Sequence, residues 1–95
     1  MGETKEMLSV EILVYRYNFV TNFNFQIEGQ LLFERSDDNV GRFWVLMNGK
    51  VFWLMQNNNV TNVLFTVCDL ENSYFEITGK KLERSLGLCQ QKKKL

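Results

Sequence analysis

Asp37 and Asp38 stand side by side in SDDNVG, residues 36–41. Paired carboxylates are what a cation site or a general acid/base step would use. The other groups with chemical reach are the thiols of Cys68 and Cys89 and the hydroxyls of Ser36, Ser73 and Ser85. None has the company that catalysis requires. The chain contains no histidine, which removes the usual general base at neutral pH and the commonest metal ligand. The cysteines form no Cys-x-x-Cys pair and read as free thiols. No glycine-rich phosphate loop occurs. Adjacent carboxylates within a polar turn read as a solvated loop. The expectation is a protein that is not an enzyme and carries no metal and no cofactor.

Charge is balanced overall, at eleven basic and eleven acidic residues, but unevenly spread. Lys80, Lys81, Arg84, Lys92, Lys93 and Lys94 fall in the last sixteen residues with Glu83 alone against them. This cluster, ending in a basic tail over 90–95, is a candidate for contact with phosphate, anionic lipid or an acidic partner. Residues 1–79 hold five Lys/Arg against ten Asp/Glu. That acidic body counts against nucleic acid, whose affinity rests on phosphate contacts. No basic-then-apolar leader opens the sequence, and no apolar run approaches the ~20 residues of a membrane span. An intracellular protein, cytoplasmic or nuclear, is expected.

Ninety-five residues make one domain, 1–95. Aromatic residues are 14% of the chain, enough to expect a packed core rather than disorder. MLSVEILVYRY (7–17) is rich in β-branched and aromatic residues and reads as a strand buried on both sides, although a helix is possible from its spacing. NFNFQIE (22–28) alternates, with Phe23, Phe25 and Ile27 expected inward, and Gly29 marks a bend. RFWVLMNGKVFWLM (42–55) is a hairpin whose Asn48-Gly49 turn pairs Met47 with Lys50 and Trp44 with Trp53. VTNVLFTVCDL (60–70) reads as a further strand broken near Thr66, and YFEIT (74–78) as another. Leu82, Leu86 and Cys89 have near-helical spacing over 80–91. The expected fold is all-β with a short C-terminal helix: a small antiparallel barrel or sandwich of about six to seven strands.

From Glu28 onward the order of motifs resembles a pleckstrin-homology domain. EGQLLFERSD is similar to that family's first strand, DNVG to its variable loop, RFWVLMNG and KVFWLMQ to its second and third strands, and SYFEITGKK to a later Phe-Glu-Ile strand. The resemblance spans residues 28–81. Only eighteen residues follow Ile77, none of them Trp, where the family has a further strand and a long helix. The resemblance implies a β-sandwich that binds a protein or a phosphoinositide. Lipid-binding members gather Lys and Arg on the first two strands; here Arg35 and Arg42 face Glu34, Asp37 and Asp38.

The hairpin has two apolar faces. Trp44, Leu46, Val51, Trp53 and Met55 form one, with Trp44 and Trp53 read as core. Phe43, Val45, Met47, Phe52 and Leu54 form the other. Either the chain's own ends cover this second face, or it is a partner surface. Aromatic and Met enrichment is what interface hot spots show. On the functional reading Phe43, Val45, Met47, Lys50, Phe52 and Leu54 contact a protein partner or a second copy, and the chain is an adaptor or complex subunit. The alternatives are an OB-type barrel binding single-stranded nucleic acid and a phosphoinositide-binding pleckstrin-homology domain.

Overall fold

A computed structural model of the chain describes residues 6–82. Five strands, β1 (Val20–Thr21), β2 (Gln30–Asp37), β3 (Gly41–Asn48), β4 (Val51–Gln56) and β5 (Asn59–Leu64), pair antiparallel in simple sequence order. The sheet is open and does not close into a barrel. A π-helical turn (Ile12–Arg16) precedes it and a helix, α1 (Val67–Thr78), follows it. Both pack on the same face of the sheet. Leu13, Tyr17 and Phe19 from the N-terminal segment and Val67, Leu70 and Tyr74 from α1 share one cluster with Phe33, Phe43, Val45, Phe52, Leu54 and Leu64 of the strands.

The N-terminal turn replaces the strand expected over 7–17. Val10, Leu13, Val14 and Tyr17 stand at i, i+3, i+4 and i+7, which places them on one side of a helix. The Ser9 hydroxyl accepts from the Ile12 N–H at 3.2 Å and starts the turn. Asn18, at φ 64°, ends it. Leu13 and Tyr17 are fully buried, so packing overrides the β-preference of Val10, Ile12 and Val14.

Helix α1 replaces the strand expected over YFEIT, and with it the Phe-Glu-Ile strand of the pleckstrin-homology motif order. Its start is a capping box. The Thr66 hydroxyl accepts from the Asp69 N–H at 3.1 Å, and the Asp69 carboxylate accepts from the Thr66 N–H at 3.0 Å. Gly79 ends the helix in the left-handed conformation, φ 77°, where its N–H bonds the Phe75 carbonyl. The expected break near Thr66 is this boundary. Residues 22–28 form a loop instead of a strand, and Phe23 is 82% exposed rather than inward. Of the helix expected over 80–91, only residues 80–82 lie among the described residues.

Asp37 is not the solvated turn carboxylate expected. It is buried, and Tyr74 of α1 donates its hydroxyl to Oδ2 at 2.5 Å. The Asn39 and Val40 N–H groups donate to Oδ1 at 2.8 and 3.2 Å, and Lys80 Nζ stands 3.5 Å from Oδ2. Burial alone would raise the Asp37 pKa. The Tyr74 hydroxyl, the two N–H donors and Lys80 together reverse that and hold it below the usual carboxylate value. The cluster fastens the β2–β3 turn to the end of α1. Asp38 stays exposed.

Candidate interaction face

The β3–β4 hairpin turns one residue later than the Asn48-Gly49 reading. Asn48 pairs with Val51, and Gly49, at φ 64°, takes the first central position of a two-residue turn, the place where a type II′ turn needs glycine. Every partner therefore moves by two positions: Met47 meets Phe52, Leu46 meets Trp53, and Trp44 meets Met55. A shift of two leaves each residue on its own face, because side chains alternate with period two. The two faces read from the sequence survive. Their roles are exchanged.

Phe43, Val45, Phe52 and Leu54 are 3%, 0%, 6% and 4% exposed and lie in the core. Met47 packs against that core half-buried, and Lys50 stands exposed in the turn. Four of the six residues read as partner-binding are thus covered by the chain itself, through the N-terminal turn and α1. Trp44 and Trp53, expected in the core, lie on the opposite face. There two cross-strand rows run over the sheet. One is Leu32, Leu46, Trp53 and Val63; the other is Val20, Glu34, Trp44, Met55 and Val60. The β-bulge between Leu54 and Met55 keeps both Val60 and Val63 in these rows. Leu32 and Leu46 are shielded by their neighbours, Trp44, Trp53, Met55 and Val63 are half-buried, and Val20, Val51 and Val60 are exposed. Both helical elements belong to the other face, so no helix among the described residues covers this one.

One charge sits inside the rows. Glu34 accepts from the Trp44 indole N–H at 3.0 Å and from the Asn22 side-chain amide at 3.3 Å, and pairs with Arg42 at 3.4 Å. These bonds fix the Trp44 ring over the sheet. Beyond the Trp44–Met55 pair the two strands separate, and a cleft of about 690 Å³ opens there between Arg42, Phe43, Trp44, Met55 and Ile77 of α1. The rows are therefore aromatic and aliphatic with one charge among them, Glu34, bonded to Trp44, Asn22 and Arg42.

Comparison with protein-family models, curated proteins and solved structures returned no match. Among the described residues no three His, Cys, Asp or Glu side chains come together as a metal set, and no helix is long and apolar enough to cross a membrane.

Of the basic cluster, Lys80 is engaged with Asp37, and Lys81 lies exposed beside Glu71 and Phe75. Arg84, Lys92, Lys93 and Lys94 lie outside the described residues. The sequence reading missed Leu32, Val20, Val60 and Val63 as companions of the tryptophans. Their signal is cross-strand register, which no single segment carries.

Proposed function

We propose that this chain is a non-catalytic interaction module, an adaptor or complex subunit, and that it docks a protein partner on the outer face of its sheet. The observation that carries this reading is the pair of rows centred on Trp44, Leu46, Trp53 and Met55, which lie on the face opposite both helical elements. Val20, Val51 and Val60 stand exposed on this face beside the half-buried Trp44, Trp53 and Met55, and apolar surface left on one face of a small domain is where an interaction site is sought. Tryptophan is also enriched among the residues that dominate binding energy. A second copy of the chain is a partner of the same class. The acidic body and the pairing of Arg42 with Glu34 favour protein over the single-stranded nucleic acid that an OB-type barrel would bind, since stacking aromatics there work beside a basic groove. They weigh equally against a phosphoinositide headgroup.

Site-specific photo-crosslinking tests the reading. A photoreactive amino acid replaces Val51 on the outer face, or Glu76 on α1 as the control, in the chain expressed in its own cellular setting. The expected result is a discrete protein adduct from position 51, absent from position 76 and lost when Trp53→Lys is added. Equal labelling from both positions, or an adduct to nucleic acid, would refute it.

A further inference from the structure

The sheet has two edges, and they differ. β1 has two residues and offers little to pair with. β5, at the other edge, has six, and NVTNVL contains no charged residue and no proline. Charged side chains and proline are what natural proteins place on an edge to keep other strands away.

The direction of the backbone groups along β5 follows from its two ends. In an antiparallel strand the N–H and C=O of one residue point to the same side, and successive residues alternate. At the start, Asn57 and Asn58 have φ 53° and 67° and make a type I′ turn. Asn59 closes that turn against Gln56 and so points its groups at β4. Val60 therefore points away. Just beyond the end, the Phe65 carbonyl accepts from the Leu8 N–H at 3.0 Å, on the side away from β4. Leu64 then points at β4, and Val63, like Val60, points away. Among the described residues no strand lies on that side.

The interval between the two valines selects what can pair with them. Outward groups in a regular strand recur every second residue. Here Leu54 pairs with Asn62 and the next residue, Met55, with Val60, so Thr61 is extra and the interval is three. A regular foreign strand matches one valine but not both. A second copy of β5, laid antiparallel, carries the same interval. Val60 meets Val63 of the copy, Val63 meets its Val60, and Thr61 and Asn62 face each other between them. The side chains agree, since both valines lie on the outer face and no charge meets a like charge.

We propose that the chain is a two-fold dimer joined edge to edge through β5, with the two sheets continuous. β5 is the one long edge among the described residues, so the assembly closes at two copies instead of growing into a fibre. The outer rows of both copies run on across the joint. The dimer concerns an edge and stands apart from the docking of a different protein on the face.

Sedimentation velocity of the purified full chain over a range of concentrations tests it, with circular dichroism to check the fold of each variant. The expected result is a reversible monomer–dimer equilibrium. Val63→Pro removes an outward N–H and leaves the bonds to β4. Asn62→Lys brings two like charges together near the two-fold axis. Each weakens dimerisation by about tenfold or more, because each change occurs twice in the joint. Trp53→Lys, on the outer face, leaves the dimer intact. Amide hydrogen exchange of the unaltered chain gives a readout that needs no variant. The Val60 and Val63 N–H groups should exchange about tenfold more slowly in concentrated than in dilute solution. A monomer at every concentration, a dimer indifferent to both β5 substitutions, assembly broken by Trp53→Lys, or Val60 and Val63 exchange that does not depend on concentration would overturn the proposal.

Discussion

Tyr74→Phe removes one oxygen and tests the cluster that ties α1 to the β2–β3 turn. The ring keeps its packing, an edge contact with Phe43 at 4.8 Å between centroids. What is lost is the hydroxyl donated to Asp37 at 2.5 Å. Asp37 then keeps the Asn39 and Val40 N–H donors and the more distant Lys80, with its side chain 1% exposed. A hydrogen bond to a charged group contributes about 1.5–3 kcal/mol. A chain of this length holds about 5–14 kcal/mol in all, so the variant gives up a substantial share. A loss of about 2 kcal/mol corresponds to a fall in Tm of about 8–16 °C. The pH dependence has a definite sign. The folded-state pKa of Asp37 is depressed, so its stabilisation is complete above the unfolded value near 3.8 and disappears as pH falls through the folded value. Tyr74→Phe makes that depression smaller. The gap between wild type and variant should be full near neutral pH and close as the solution is acidified below the unfolded value. Thermal melts followed by circular dichroism from neutral pH into acid measure both effects. A variant within about 0.5 kcal/mol of wild type at neutral pH, the scatter of ordinary surface changes, or a gap that does not close in acid would mean that the Tyr74–Asp37 bond does not stabilise the fold.

Thr66→Ala dismantles the α1 capping box and should cost about 1 kcal/mol in denaturant unfolding; no change in midpoint would mean the cap contributes nothing. Phe52→Ala empties a core position and should cost about 3–5 kcal/mol. Val51→Ser, its neighbour on the outer face, should stay within about 0.5 kcal/mol, and the reverse ranking would mean the faces are wrongly assigned. Tyr74 ionisation is pushed up to about 12, first by burial and then by its bond to Asp37. A spectrophotometric titration should therefore show late tyrosine ionisation near that value, reduced by one tyrosine in Tyr74→Phe.

How far the sequence was legible depends on the range of the signal. The β3–β4 hairpin is written locally, in Gly49 and in alternating arms, and the membership of its two faces follows from period two alone. Which face is core is not local. It depends on where Leu13, Tyr17, Leu70 and Tyr74 land, and all four arrive from segments read as strands. Size also misleads: tryptophans suggest a core, whereas the smaller Phe43, Val45, Phe52 and Leu54 fill it. The helical segments carried usable signals. Thr66 with Asp69 three residues on is a capping box, and Val67, Leu70, Tyr74 and Ile77 keep a helical period up to Gly79. The alternation within YFEIT and the β-branched residues at 10–14 obscured them. Asp37 gave no sign of burial, because its partner is thirty-seven residues away.

Tryptophan emission tests the docking face most directly, since Trp44 and Trp53 are the only tryptophans and both lie on it. Acrylamide quenching is measured on the free chain and on its complex with the protein captured from position 51. Quenching should fall sharply in the complex while the circular dichroism of the chain is unchanged. Equal quenching with the partner bound and free would contradict it.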